Sequence, residues 1–456
     1  MTSPAIIADL TAIVGADHVL TDQDVTAAYV TDWTGRFSAA SGTVVRPSCT
    51  AEVAAVVGLC ASTGTAVVPQ GGNTGLVGGG VPHRGEVVLS LRRLAAPPEV
   101  DVDSSQVLAQ AGVTIAALRT AANAHGMTYG VDLASRDSAT VGGTIGTNAG
   151  GLRVLRHGDT RRQVIGVEAV LGDGTIISHL DGLTRDNTGY HLPSLLTGSE
   201  GTLAIVTAAR LRLVPAFRQT AVALLAMTDV EAAVKAAGTF RRELAGVSAV
   251  ELVLPAGMEL VTAALGLRPA FSGSGDEHGA YLLVECDGSE PLAELMRVVE
   301  TVAGVQDAAA ADDAAGRAAL WAYRERQAEA IATVGSPIKL DVTLPMHSMP
   351  QFLRESPAAV SAISPDARVW TFGHIADGNA HVNVTGGLGH AHAVEDAVLQ
   401  LVARLGGSIA SEHGVGVAKK DWLRLNRSPA ELALFRAIKA AFDPAGILNP
   451  NAVLPH

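Results

Sequence analysis

Two short stretches carry residue types that could do chemistry. The first is Gly373-His374-Ile375-Ala376-Asp377-Gly378-Asn379-Ala380-His381-Val382-Asn383. Its centre, Asp377-Gly378, is a two-residue hairpin signal, because a type I′ turn needs φ > 0 at both central positions. Such a turn pairs residues whose numbers add to the same total as 377 and 378, and His374 and His381 obey that sum. They are therefore expected directly opposite one another, where Cβ atoms lie about 5 Å apart, close enough for both imidazoles to share one metal ion. Asn383, two residues on, belongs to the same face. The second stretch, Ser411-Glu412-His413-Gly414-Val415-Gly416, puts a carboxylate and an imidazole on a glycine-bent loop. Two His and one Glu with an open position is the ligand count of a catalytic zinc site, or of related divalent sites. His374, His381 and Glu412 are thus the candidate ligands, and His413 is left to move protons.

These residues need a scaffold, and the chain upstream supplies a second signal. The strand expected at 66–69 runs into Gln70-Gly71-Gly72-Asn73-Thr74-Gly75-Leu76-Val77-Gly78-Gly79-Gly80, with six glycines in ten residues. Such a loop brings backbone N–H groups close to a ligand and can cradle phosphate. No helix pattern follows and Pro82 opposes one, so it is not a Rossmann fingerprint. A second tract, 138–151, holds mostly small and hydroxyl residues with no aromatic or charged side chain, as expected where backbone lies flat on a large planar ligand. A third segment, 197–203, contains Gly198-Ser199-Glu200-Gly201. Three glycine-bearing segments separated by strands point to one extended cofactor.

Hydrophobic periodicity places the remaining elements. Helices are expected at 5–15, 23–30, 51–62 (capped by Thr50, stopped by Gly64), 114–125, 229–244, 290–304, 391–405 and 429–441, and an Ala-rich helix at 308–330 bears Trp321, Arg324 and Arg326. Strands are expected at 43–47, 86–91, 106–111, 164–171, 204–214, 219–226, 248–254, 280–286 and 337–344, the last carrying Lys339. Gly172-Asp173-Gly174 reads as a hairpin turn. The β-α-β alternation after Pro215 is the pattern of a smaller sheet-plus-helix domain. Domains are expected at 1–40, 41–217, 218–420 and 421–456.

Composition bounds the function. The chain has 456 residues, 48% hydrophobic and 17% charged, with net charge −12 and no block of Lys or Arg. Nucleic acid is therefore not the expected partner. Cys49, Cys60 and Cys286 show no C-x-x-C spacing, which argues against an intrinsic iron–sulfur cluster and suits a reducing compartment. The first twenty residues lack a basic n-region, and no run reaches the roughly 18 apolar residues of a membrane span. The expected location is the cytoplasm.

With these motifs assembled, the chain resembles the vanillyl-alcohol-oxidase/PCMH flavoprotein superfamily and, within it, the FAD-linked D-2-hydroxy-acid dehydrogenases, whose hydroxyglutarate branch it matches best. The resemblance rests on Pro69-Gln70-Gly71-Gly72-Asn73-Thr74-Gly75, Val141-Gly142-Gly143, Asn148-Ala149-Gly150-Gly151, Gly198-Ser199-Glu200-Gly201-Thr202-Leu203, the two histidine stretches and Asp443-Pro444-Ala445-Gly446-Ile447-Leu448-Asn449-Pro450, all in family order. It implies an α+β fold: a PCMH-type, two-subdomain FAD-binding domain, a ferredoxin-like antiparallel-sheet cap domain, and a C-terminal helical segment returning to the first domain. It implies FAD held by Gly71, Gly72, Asn73, Thr74, Gly75, Gly78, Gly79, Ser138, Gly142, Gly143, Asn148, Glu200, Gly201, Ile205 and Asn449. Covalent members carry a histidine in the first loop; Asn73 stands in that region, so non-covalent FAD is expected.

The resemblance also implies a divalent metal, zinc, on His374, His381 and Glu412, with His413 as base, and Arg324, Lys339, Asn383 and His413 on the substrate. Its implied partners are a small 2-hydroxy acid, an electron acceptor (an electron-transfer flavoprotein, an iron–sulfur subunit or a quinone) and a second copy in a homodimer. Two positions depart from the family pattern. Ala376 replaces a glycine, and Ala328 stands where hydroxyglutarate dehydrogenases place a hydroxyl near the substrate, which leaves D-lactate and glycolate as alternative substrates. A metal-dependent hydrolase built on the two His and one Glu is the alternative of another class, and it leaves the glycine tracts without a role.

Overall fold

The computed structural model describes residues 2–40, 42–216, 219–271 and 278–455. The chain forms two compact units: Met1–Gly151, Gly158–Ala216 and Glu412–His456 make the first, and Leu152–His157 with Phe217–Ser411 the second. Residues 412–420, expected with the second domain, therefore cluster with the first.

Unit 1 contains β1 (Val19–Leu20), β2 (Thr43–Val45), β3 (Val67–Gln70), β4 (Val87–Ser90), β5 (Glu99–Asp101), β6 (Gln106–Gln110), β7 (Met127–Tyr129), β8 (Val164–Leu171), β9 (Ile176–His179) and β10 (Ala204–Pro215). They make two sheets. One is four-stranded, in the order β1-β2-β4-β3; the other has the order β5-β6-β10-β8-β9, with β7 also on β10. β2, β4 and β3 are parallel, which demands a crossover. Helix Thr50–Thr63 supplies it, burying Val53, Val56, Val57 and Cys60 and ending at Gly64 in the left-handed region. Its N-cap is Cys49 and not Thr50; the Thr50 hydroxyl instead donates to Glu168 at 2.6 Å. The second glycine tract holds a short helix, Val141–Thr147, that sequence periodicity did not show, with Thr140 accepting from the Gly143 N–H. The C-terminal segment joins this unit through the Val67 N–H to Ile447 O and the Asn449 N–H to Val67 O. Ile438 and Phe442 pack on the core of the larger sheet.

Unit 2 is built on one antiparallel sheet. β11 (Thr220–Met227), β12 (Val247–Val253), β13 (Ala280–Asp287) and β14 (Val305–Ala311) alternate with helices Val230–Glu243 and Pro291–Val299. Their spatial order, β14-β11-β13-β12, is the β-α-β-β-α-β ferredoxin-like arrangement. β15 (Ile338–Thr343), β16 (Arg368–His374) and β17 (Asn379–Thr385) extend the sheet from the β12 edge in the order β16-β17-β15. The Ala-rich 308–330 stretch is not one helix. Its first residues belong to edge strand β14, and Asp313 caps the helix Ala314–Glu325 that follows. No helix among the described residues is long and apolar enough to cross a membrane.

Candidate active site

In unit 1 the first glycine loop is fixed from one side. Gln70 Nε2 donates to Tyr29 O and Gly80 O, bracketing the loop, and Asn73 Nδ2 donates to Ala28 O and Thr31 O. Arg92 takes the carbonyls of Gly71 at 3.2 Å and Gly72 at 2.9 Å. In a trans peptide the following N–H points the opposite way, so the N–H groups of Gly72 and Asn73 face away from Arg92. Asn73 sits at φ 55, and among the described residues no acceptor takes the N–H groups of residues 72–75. Open N–H groups beside a left-handed residue are the arrangement of an anion-binding nest, one that would suit a pyrophosphate.

The glycines themselves are required mainly by close packing of protein on protein. A Cβ on Gly72 would lie 1.9 Å from Ser138 O, one on Gly71 2.3 Å from Thr140 Oγ1, and one on Gly142 2.7 Å from Ala111 Cβ. Only Gly75 and Gly146 of these tracts face open space. The first loop and the β6 end press on the second tract, and this packing by itself requires glycine at Gly71, Gly72 and Gly142.

The other residues expected around the cofactor are joined into one framework within unit 1. The Glu200 carboxylate accepts from the N–H groups of Val415 at 2.7 Å and Gly416 at 2.8 Å. Asn449 Nδ2 bridges Gly79 O and Glu200 O. Asn148 binds Asp159 Oδ2 and the Arg161 N–H, Gly78 packs on Phe37, Gly201 on Pro69, and Ile205 lies in the core. Burial pushes the Glu200 carboxyl up to about 7, against the pull of the two N–H groups and of Lys419. Glu412, in the same unit, lies against the second tract: a Cβ on Gly150 would be 2.6 Å from its Oε1.

In unit 2 the histidines meet on one sheet face, but not in the expected register. β16 pairs with β17 so that Phe372, not His374, lies opposite His381. The connection is a 3-10 turn, Ile375–Asp377, closed by Gly378 at φ 73, and Asp377 does not adopt the positive φ a type I′ turn requires. The pairing is shifted by two residues, which preserves the face of every side chain. The two imidazoles still stand 5.3 Å apart between centroids.

Each imidazole has a buried carboxylate at Nδ1. Glu251, on β12, lies 2.6 Å from His374 Nδ1, and Asp341, on β15, 3.3 Å from His381 Nδ1. A carboxylate at Nδ1 keeps the proton there and the lone pair on Nε2, the arrangement that orients histidine as a metal ligand. The donor set therefore fits a divalent metal. Sequence reasoning missed both carboxylates, although each is a lone acid within an apolar strand. Burial favours the neutral form of Glu251, but the pull of His374 and Arg324 outweighs it and brings its carboxyl down to about 2. Burial depresses His381.

Arg324 donates Nε to Glu251 Oε2 at 2.7 Å, and its guanidinium lies 4.6 Å from the Phe372 ring centroid. Its two terminal nitrogens have no acceptor among the described residues. Lys339 pairs with Asn383 across β15 and β17, on the face of Asp341 and His381, and burial lowers its ammonium from the usual lysine range. Asn383 is 5% exposed, and its side-chain amide makes no hydrogen bond to any described residue, as suits a group waiting for a ligand. Within unit 2, the Ser411 N–H donates to Asp341 Oδ2 at 3.2 Å.

Comparison with known proteins adds to this geometry. Residues 217–453 match the family described as FAD linked oxidases, C-terminal domain, and residues 42–179 the family described as FAD binding domain. The chain is 37% identical to the D-2-hydroxyglutarate dehydrogenase of Xanthomonas citri pv. viticola, over 99% of this chain and 97% of that protein. It is 36% identical to the mitochondrial D-2-hydroxyglutarate dehydrogenase of Bos taurus, over 96% of this chain and 81% of that one. Among solved structures, p-cresol methylhydroxylase superposes with TM-score 0.79 at 15% identity, covering 98% of this chain and 96% of that one. The 4-ethylphenol oxidase of Gulosibacter chungangensis gives 0.76 at 16%, covering 99% and 97%. These two establish the PCMH-type fold. The matched FAD domains set the hydrolase alternative aside.

Proposed function

The chain belongs to the family of FAD-linked D-2-hydroxy-acid dehydrogenases, and we propose that its own substrate is D-2-hydroxyglutarate, oxidised to the 2-oxo acid with the help of a divalent metal. The observation that carries the substrate is the presence of two cations, Arg324 and Lys339, on the sheet face that bears His374 and His381. A dicarboxylate needs two such partners. The planar fork of Arg324 suits one carboxylate bidentately, and the Lys339 ammonium is a point charge for the other. Asn383, buried and unpartnered, supplies a directional hydrogen bond between them.

FAD would be held at the Gly71–Gly75 nest, and when bound it would supply the acceptor for the hydride that leaves C2 of the substrate. Asn73 offers no nucleophile for a covalent flavin bond, so the cofactor is held non-covalently. His374 and His381 would hold the metal through Nε2, with Glu412 as its carboxylate ligand. Such an ion, zinc by its donor set, would supply the Lewis acidity that lowers the pKa of the substrate hydroxyl. His413 would take that proton as general base. The reduced enzyme passes its electrons to an external acceptor, an electron-transfer flavoprotein, an iron–sulfur subunit or a quinone. The three cysteines are all free thiols, which suits a reducing, cytoplasmic setting.

A second reading, D-lactate or glycolate, is favoured by Ala328, which is exposed four residues beyond Arg324 and brings no hydroxyl. The test is dye-linked reduction by D-2-hydroxyglutarate, D-lactate and glycolate, with and without a chelator. Turnover fastest with D-2-hydroxyglutarate and lost on chelation is expected. Preference for a monocarboxylate would overturn the substrate, and activity indifferent to chelation would overturn the metal.

A further inference from the structure

Glu251 lies outside the ligand, base and substrate-binding roles given above. Its carboxylate is 1% exposed and has one strong partner on each oxygen: His374 Nδ1 on Oε1 at 2.6 Å and Arg324 Nε on Oε2 at 2.7 Å. One carboxylate thus holds both the histidine expected on the metal and the arginine expected on the substrate. We propose that Glu251 is a positioning residue shared by His374 and Arg324, so that metal binding and carboxylate recognition depend on the same buried group. This rests on the function proposed above.

His374 can present Nε2 to a metal only while its proton stays on Nδ1, and Glu251 Oε1 is the acceptor that keeps it there. Arg324 can offer its terminal nitrogens to a substrate only while Nε is held, since an unanchored guanidinium loses its orientation over Phe372. Asp341 provides an internal comparison. It faces His381 Nδ1 at 3.3 Å, the Asn379 amide at 2.7 Å and the Ser411 N–H at 3.2 Å, with no contact to Arg324. Losing it should disturb one histidine without touching the arginine.

Glu251→Gln separates the two functions of the group. An amide has one oxygen, so it can accept from Arg324 or from His374, but not from both. If the oxygen serves Arg324, the amide nitrogen faces His374 and forces the proton onto Nε2. If it serves His374, two donors oppose each other at Arg324. The experiment uses the full-length, flavin-loaded protein. Zn2+ affinity is measured by competition with a chromophoric chelator, and 2-oxoglutarate binding to the Zn2+-saturated protein is read from the flavin absorbance. Wild type, Glu251→Gln, Asp341→Asn and His374→Ala are compared.

The expected result is that Glu251→Gln weakens Zn2+ roughly 10–100-fold, the scale of an outer-shell partner, and also weakens 2-oxoglutarate roughly tenfold, the scale of one charge-assisted hydrogen bond. Asp341→Asn should weaken Zn2+ alone. Should Glu251→Gln fail to fold, Glu251→Asp keeps the charge but is too short to span both partners, and is read the same way. Wild-type Zn2+ affinity in the Glu251 variant, with affinity lost in His374→Ala, would overturn the role of Glu251 while leaving the metal in place. Loss of Zn2+ without loss of 2-oxoglutarate binding would overturn the coupling. Wild-type affinity in His374→Ala would sink the metal assignment itself, and this proposal with it.

Discussion

Glu200→Gln gives a pH-dependent stability difference whose sign and size follow from the structure. The carboxyl of Glu200 ionises near 4.5 when the chain is unfolded and at about 7 in the folded protein, because burial outweighs the Val415 and Gly416 N–H groups and Lys419. Between those two values the folded protein keeps a proton that the unfolded chain has lost. The stability this provides is complete below the unfolded value and is lost as pH rises through the folded one. A shift of roughly two and a half units corresponds to ~3 kcal/mol. Glutamine does not titrate. Its single amide oxygen can serve only one of the two N–H groups, and its nitrogen opposes the other, a cost of ~1–3 kcal/mol at every pH. Wild type should therefore exceed the variant most at about pH 4.5 and lose ~3 kcal/mol of that advantage by about pH 8. Subtracting the variant cancels the other titrating groups, including His381, whose depressed pKa gives the opposite slope. The assay is urea unfolding of both proteins across this range, with one optical probe. A difference that stays constant within about 0.5 kcal/mol, the tolerance for independent sites, would refute the burial argument.

Other substitutions test separate parts of the site. Gly72→Ala puts a Cβ 1.9 Å from Ser138 O, so the protein should purify with its flavin lost or greatly reduced; a fully yellow variant would contradict the nest. Arg324→Lys keeps a charge but loses both the fork and the Glu251 contact, and the KM for D-2-hydroxyglutarate should rise roughly tenfold or more, as steady-state kinetics would show. His413→Gln should retain flavin and lower kcat by roughly 100-fold or more, the usual contribution of a general base; an unchanged kcat would remove it from that role.

The sequence made the site legible wherever side-chain parity decided the outcome. His374, His381 and Asn383 share a face because a two-residue register error leaves every side chain on its side of the sheet. The register was not legible, since Asp-Gly is also compatible with a 3-10 turn in which only the glycine takes positive φ. The 308–330 stretch misled because alanine has no amphipathic signature; edge pairing with β11 made a strand of its start. The glycine tracts identified the cofactor region, yet their residues answer mostly to neighbouring backbone, a requirement visible only after folding. Glu251 and Asp341 were written in the sequence as isolated acids in the apolar runs Ala249-Val250-Glu251-Leu252-Val253 and Leu340-Asp341-Val342. A buried charge of that kind demands a partner, and this was the signal that could have found them.

The central claim is that the chain transfers a hydride from C2 of a D-2-hydroxy acid to bound FAD. Its most direct measurement is anaerobic addition of D- and L-2-hydroxyglutarate, separately, to the purified protein with no acceptor present. The account predicts that the visible flavin band bleaches with the D enantiomer and persists with the L enantiomer. A flavin that stays oxidised with both, or a protein that binds no flavin, would contradict it.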